Sequence, residues 1–234
     1  MVKQNQEIKL SFILPIYNEE VNLEKFIEEY FKVFQTSSIQ ELIVVDDNST
    51  DNSFQILMEL KKKFNFHIIK NEIRKGRGRS FKDGLKLCRG KYTGYMDSDL
   101  QIHPQNILRG INLLDIGISA ICGKRIEKKT SFLRRFLTLS FKITAFCITG
   151  LPCKDPLCGF KLFFLDDLSG IIDRTRDEHW FFDYEIMYYA RKKGLKIGNL
   201  PVVFIPAHEL HVSKTRYIKD SIMYFKKLIL LKIS

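Results

Sequence analysis

Apolar residues fall along this chain in two kinds of block, short continuous runs and longer stretches at helical spacing. Through the first hundred residues the two alternate. "KLSFILPIYN" (9–18) predicts a buried strand stopped by Pro15. "EEVNLEKFIEEYFKVF" (19–34) puts Val21, Leu23, Phe26, Ile27, Tyr30, Phe31 and Phe34 at helical spacing. "ELIVVDDNSTD" (41–51) predicts a strand ending in two acids and turn formers, "NSFQILMELKKKF" (52–64) a second helix, and "FHIIKN" (66–71) a third strand. "GRGRSFKDGLKLC" (76–88) opens on glycines and continues as helix, and "KYTGYMDSD" (91–99) predicts a fourth strand. This alternation predicts an α/β fold with a doubly wound sheet, parallel at least in this half.

The second half is less regular. "SFLRRFLTLSFKITAFCI" (131–148) reads as a basic amphipathic helix, and "DEHWFFDYEIMYYARKKG" (177–194) as a helix closed by Gly194. "LKIGNLPVVFIP" (195–206) reads as a strand pair. "RYIKDSIMYFKKLILLKI" (216–233) reads as a last amphipathic helix carrying Lys219, Lys226, Lys227 and Lys232. No linker divides the chain, so residues 1–234 are read as a single domain.

In doubly wound sheets ligands bind beyond the carboxyl ends of the strands. Three polar clusters fall there: Pro15–Glu19, Asp46–Asp47 and Asp97–Gln101. A shared site accounts for three clusters better than chance does. Asp97 and Asp99, one residue apart, can flank a hard cation, Mg²⁺ or Mn²⁺, with the Gln101 amide as a neutral ligand. Such an ion would bridge diphosphate oxygens and offset charge on a leaving group. Asp46 can accept from a base or ribose; Asp47 can do the same or approach the metal. "KGRGRS" (75–80) brings flexible backbone at Lys75 and Gly76 and two arginines near phosphates. It is neither a P-loop nor a GxGxxG fingerprint.

Charge sharpens the picture. The formal net charge is +11. Residues 1–119 hold 17 Lys/Arg against 16 Asp/Glu, and residues 120–234 hold 21 against 11. The second half therefore carries either a solvated basic face or a surface for an anionic partner. Five cysteines without a CxxC pair, and no secretory pattern at the start, predict reduced thiols in the cytosol. The longest uncharged run, around Ile143–Cys153, falls well short of the roughly 20 residues that a membrane span needs. Trp180, Phe181 and Phe182 read together as core.

"ILPIYNEEVNL" (13–23), "IVVDDNSTDNS" (43–53), the "KGRG" stretch, "MDSDLQIHP" (96–104), "CGFKLF" (158–163) and "FDYEIMYYARKKG" (182–194) resemble, in order and spacing, the motifs of family-2 glycosyltransferases. Within that family the chain looks like the polyprenyl-phosphate and dolichyl-phosphate mannose and glucose synthases. The resemblance implies a GT-A, Rossmann-like fold with a mixed, mostly parallel central sheet and flanking helices. It also implies a nucleotide-sugar donor and inversion at the sugar carbon. Carried over by position, Pro15, Tyr17, Asn18, Glu19 and Asp47 line the nucleotide, and Asp97, Asp99 and Gln101 hold the Mg²⁺ or Mn²⁺. Arg125, with Arg134 or Arg135, contacts phosphate, and Ser213 and Lys214 close the donor site. "DLQ" is similar to the mannose enzymes, whereas "DPLCGFKLF" with "HWFFDYE" is similar to the glucose enzymes. GDP-mannose and UDP-glucose both stand as donors.

A polyprenyl-phosphate acceptor needs no general base, because its second pKa is about 6. Asp183 and Glu185 lie where relatives that glycosylate hydroxyls keep a base, so a sugar-hydroxyl acceptor in cell-surface glycan synthesis is the alternative. A non-enzymatic nucleic-acid- or lipid-binding module fits the charge alone, but strand-end acids would repel a phosphate backbone, and no nucleic-acid partner is expected. The expected setting is cytoplasmic and peripheral, on the cytoplasmic face of an anionic membrane, through segments 131–148 and 216–233. The transmembrane segments of many relatives are not found, which leaves room for a separate membrane-anchoring subunit.

Overall fold

The structure, a computed structural model, describes residues 9–34, 40–126, 143–205 and 217–233. Seven strands form one sheet: β1 (Leu10–Ile16), β2 (Gln40–Asp46), β3 (His67–Lys70), β4 (Tyr92–Tyr95), β5 (Ala120–Ile126), β6 (Lys161–Phe164) and β7 (Ile197–Val203). Their order is β3-β2-β1-β4-β6-β5-β7. Pairing is parallel everywhere except at β6, which runs antiparallel to both its neighbours. One reversed strand thus enters at the point where the first-half sheet meets the second.

Strands β1, β2 and β4 are buried on both faces, which explains their continuous apolar runs. Phe12, Leu14, Leu42 and Val44 pack on one face, with Leu23, Phe26 and Tyr30 of α1 (Leu23–Val33), Leu57 and Leu60 of α2 (Ser53–Lys63), and Ile107 and Ile111 of α4 (Asn106–Asp115). Ile13, Ile43 and Val45 face the other way. They join Phe81 of α3 (Arg77–Leu85), Ala145 of α5 (helical residues 143–149), Ile186 and Met187 of α6 (Phe182–Lys192), and Leu228 and Leu231 of α7 (Tyr217–Ile233).

Four features depart from the sequence pattern. β1 runs through Pro15 to Ile16, because its pairing with β4 has already ended at Ile13 and the missing N–H costs no bond on that side. β4 ends at Tyr95, so Asp97 and Asp99 lie in the following loop. Residues 195–206 hold one strand rather than two, and β7 joins β5 in parallel across its full length. Helix α6 begins at Phe182, not at 177, and ends before Gly194, whose φ of +86° suits glycine in that turn. Residues 131–142, the larger part of the first amphipathic segment, lie outside the described residues.

Candidate active site

All parallel strands end on one side of the sheet, and the backbone there is unusual. The non-glycine residues with positive φ among the described residues are Asn18, Asn48 and Leu100, each in the loop after β1, β2 or β4. A left-handed residue costs energy that the surroundings must supply, and such residues gather at functional loops. Here side chains lace the loops together. Asn18 N–H donates to Ser49 Oγ (3.0 Å), Asn18 Oδ1 accepts from Thr50 N–H (2.8 Å), and Glu19 N–H donates to Ser53 Oγ (2.8 Å). Glu20 accepts from the backbone and side chain of Asn52 (3.0 and 2.9 Å).

Asp47 has both oxygens committed. Oδ1 accepts from Asn71 Nδ2 (3.0 Å) and Lys75 N–H (2.9 Å), and Oδ2 accepts from Gly76 N–H (2.7 Å). It holds the 71–76 loop against β2. Lys75 turns its ammonium to Asn71 (3.3 Å) and Asp83 (3.6 Å). Asp46 accepts from Ser49 N–H at Oδ1 (3.0 Å), while its buried Oδ2 has no hydrogen-bond partner among the described residues. That orphaned acceptor, at the end of a central strand, suits a ligand donor. Tyr17 is covered by Arg74, whose guanidinium lies 3.7 Å from the ring centre. Pro15 is half-buried beside them.

The acids of the β1 and β4 loops form one cluster. Burial pushes the Glu19 carboxyl up to about 7, with Asp99, Asp97 and Asp51 adding to the rise. Burial likewise raises Asp99 to about 6, with Asp97 as the next cause. Asp99 Oδ1 accepts from Gln101 N–H (3.1 Å), and Gln101 O accepts from Ile205 N–H just past β7 (3.0 Å). Carboxylates held this close are relieved by a cation. Among the described residues no group of three or more His, Cys, Asp or Glu forms a full cage. That matches Mg²⁺ practice, in which one or two carboxylates share the ion with water and substrate phosphates. The residues present fit a divalent ion at Asp97 and Asp99.

Arg77, at the start of α3, ties this cluster to the second half. Its side chain is 9% exposed and pairs with Asp97 (2.8 Å) and with Asp183 (3.4 Å), which is 1% exposed. Nη2 also donates to Gly159 O (3.0 Å). Burial alone would lower the Arg77 pKa, but Asp183 and Asp97 more than offset it and hold it above its ordinary value. Tyr95 O–H donates to Asp183 Oδ1 (2.5 Å). Burial raises the Asp183 carboxyl, with Arg77, Lys161 and Tyr95 working against the rise. Glu185 accepts from the backbone N–H of Arg176 and of Asp177 (2.8 Å each), so it fixes the loop before α6. A Cβ at Gly159 would meet Asp97 Oδ2 at 1.9 Å and Arg77 Nη2 at 2.5 Å, so any side chain there would displace these two groups.

The structure therefore gathers Pro15, Tyr17, Asn18, Glu19, Asp46, Asp47, Lys75, Gly76, Asp97, Asp99 and Gln101 at one side of the sheet. Arg125, at the end of β5, is held in a two-point ion pair by Asp155 (2.7 and 2.9 Å) rather than standing open. Arg134, Arg135, Ser213 and Lys214 lie outside the described residues. Trp180 departs from the core trio: Phe181 and Phe182 are buried, but Trp180 is 59% exposed, with the Arg77 guanidinium 5.4 Å from its ring. Asp155, Gly159 and Tyr95 go unsingled in the sequence. A lone acid or glycine leaves no spacing signal when its partners lie far along the chain. Arg77 shows there only as one of two arginines in a glycine-rich turn.

The model of glycosyl transferase family 2 matches residues 11–182. The dolichyl-phosphate beta-glucosyltransferase of Dictyostelium discoideum is 31% identical over 83% of this chain and 66% of its own length. That of Saccharomyces cerevisiae is 28% identical over 99% of this chain and 76% of its own. The chain thus spans about two thirds to three quarters of these two relatives. Glucosyl-3-phosphoglycerate synthase of Mycobacterium tuberculosis, solved with Mn²⁺, UDP-glucose and phosphoglyceric acid, shares the fold at a TM-score of 0.72. It is 17% identical and covers 96% of this chain and 79% of its own.

Proposed function

This chain belongs to glycosyl transferase family 2, and from that premise we propose that it moves glucose from UDP-glucose to a dolichyl or other polyprenyl phosphate at a membrane surface. The names of the two relatives support the acceptor and the sugar. One observation of the structure carries the mechanism. The two acids placed where a hydroxyl acceptor would need a base are both spent, Asp183 on Arg77 and Tyr95, Glu185 on two backbone amides. A phosphate acceptor asks for no base, since it arrives as an anion above its second pKa of about 6.

The chain's own residues then have four tasks. The Asp46–Asn48 and Pro15–Glu19 loops bind the nucleotide, with Asp46 Oδ2 as the acceptor for a base or ribose donor. Asp97 and Asp99, with Gln101 beside them, would hold a divalent ion. When bound, that ion supplies charge to the diphosphate leaving group as the sugar departs. Arg77 sets the Asp97 carboxylate and closes the floor of the site toward α6. The phosphate oxygen attacks the sugar carbon from the side opposite the diphosphate, which inverts that carbon. Arg134, Arg135, Ser213 and Lys214 are the proposed phosphate and donor contacts from the basic half; Arg125 is braced by Asp155.

The membrane part of the proposal draws support from α7 and α5. Helix α7 buries Leu228 and Leu231 but exposes Met223, Phe225, Ile229 and Leu230, and α5 exposes Ile143 and Phe146. Among the described residues no helix is long and apolar enough to cross a membrane. An exposed apolar face on a basic chain suits peripheral binding to an anionic leaflet. The cytoplasmic face and a separate anchoring subunit belong to the same proposal.

The test is nucleotide release by purified protein with UDP-glucose or GDP-mannose, offered dolichyl phosphate, the free lipid alcohol or a soluble glycan. Release of UDP only with UDP-glucose and the lipid phosphate is expected. Release with the alcohol or the glycan overturns the acceptor assignment, and preference for GDP-mannose overturns the donor.

A further inference from the structure

We propose that Asp183 is a positioning residue for metal binding: it neutralises Arg77, so that Arg77 can orient Asp97 without cancelling the charge Asp97 offers to a divalent ion. The inference rests on the metal assignment to Asp97 and Asp99.

The argument starts from a conflict. A metal-binding carboxylate gains from a fixed orientation but loses from a neighbouring cation. Asp97 has such a neighbour at 2.8 Å. A guanidinium paired with one carboxylate alone would leave that carboxylate with little net charge toward a second cation. Arg77 is not paired with Asp97 alone. Asp183 sits on its other side at 3.4 Å, sealed from water, and is itself gripped by the Tyr95 hydroxyl. Asp183, shared with the buried Lys161, offsets part of the Arg77 charge, so Asp97 keeps more of its own than it would beside a lone guanidinium. It keeps its direction as well, because Arg77 is pinned by Gly159 O and flanked by the faces of Tyr95 and Trp180 at 5.2 and 5.4 Å. Gly159 leaves room for Asp97 to lie there. The sealed position of Asp183 fits this supporting role and leaves it no path to a substrate. Partners that orient and tune a metal ligand typically matter about 10–100-fold in metal affinity or activity.

The experiment is Mn²⁺ binding, read by loss of the free-ion electron paramagnetic resonance signal, in wild type, Asp183→Asn, and the double variant Arg77→Met with Asp183→Asn. Emission of Trp180, the chain's single tryptophan, monitors the fold around Arg77. Asp183→Asn keeps the shape and strips the charge, so Arg77 turns on Asp97, and Mn²⁺ binding is expected to weaken about 10–100-fold. The double variant removes both charges. It should regain most of that affinity yet stay slow in transfer, because Asp97 has lost its brace. Unchanged Mn²⁺ binding in Asp183→Asn, or no recovery in the double variant, overturns the inference. If Asp183→Asn does not fold, Tyr95→Phe takes its place, with weaker Mn²⁺ binding expected and unchanged binding overturning the inference. A wild-type chain that binds no Mn²⁺ overturns the metal assignment as well, which separates the two failures.

Discussion

The two sides of the site are held in different ways. On the β1–β2 side, side chains bond to backbone: Asp47 to the 71–76 loop, Asn18 to Thr50, Glu20 to Asn52. On the β6–α6 side, charges bond to each other, buried in Arg77–Asp183 and half-buried in Arg125–Asp155 and Lys227–Asp177. A neutral donor and a backbone amide lose little when one partner is altered. A buried ion pair that loses one partner leaves an uncompensated charge, which costs far more. The β1–β2 side is therefore built to tolerate local change, and the β6–α6 side to fail abruptly.

The comparison can be broken most sharply at Gly159, where the two constructions meet. Gly159→Ala forces a Cβ into Asp97 and Arg77 and should lower kcat about 10²-fold, as a misplacement of about 1 Å does. Nucleotide binding should hold nearly steady. An equal loss in nucleotide affinity, by calorimetry, would show that the two sides are one unit. Asp155→Asn comes next. It leaves the half-buried Arg125 with half its partner and should cost about 1.5–3 kcal/mol of stability in urea unfolding, the usual worth of bonds between charged groups. The matching change on the other side, Thr50→Ala, removes the exposed bond from Asn18 Nδ2 and should cost about 0.5 kcal/mol, the low end of a hydrogen bond's worth. Similar losses for both would erase the distinction.

Acid sharpens it further. Glu41, at the base of β2 and far along the strand from Asp46, is held by Ser11 and by two-point contact with Arg89. Burial pushes its carboxyl up, but the bonds from Ser11 and Arg89 win and leave it below its usual value. A carboxyl lowered by folding adds stability above its unfolded pKa of about 4.3, and that stability is lost as pH falls through the folded value. Glu41→Gln should flatten the stability profile below about pH 4.5 and leave the neutral-pH turnover unaltered. A profile as steep as that of the wild type would remove Glu41 from the account. The smallest effect belongs to the surface. Leu230→Ser, at a residue 66% exposed, should leave the melting temperature in place and weaken flotation with anionic liposomes. Unchanged flotation would take α7 out of the membrane proposal.

Much of the β1–β2 side is legible in the sequence because its signals are local. Apolar runs in "SFILPI" and "LIVV" end directly in Asn18, Asp46 and Asp47, so strand and site are read in one window. Asp97 and Asp99 are equally visible from their spacing. The β6–α6 side has no such window. Asp183 meets Arg77 across 106 positions, Arg125 meets Asp155 across 30, and β6 is four residues of "KLFF" that no alternation marks. Pro15 misleads because proline usually ends a central strand, and only the short reach of β4 makes it harmless. Trp180 misleads because its two neighbours are core, and a helix that starts at Phe182 leaves it outside.

The reversed strand β6 also dictates an order of events during synthesis. Strands β3, β2, β1 and β4 pair among themselves and can form once residue 95 is made. Strand β5 is made next but has no place beside β4; it must wait for residues 161–164 to come between them. Until then β4 presents an unpaired edge, the kind of surface that recruits another chain. Pulse-labelled hydrogen exchange should find amides of residues 40–46 protected before those of 120–126, and simultaneous protection would refute this order. The β3-β2-β1-β4 half of the sheet would then stand folded while the β6-β5-β7 half is still being written.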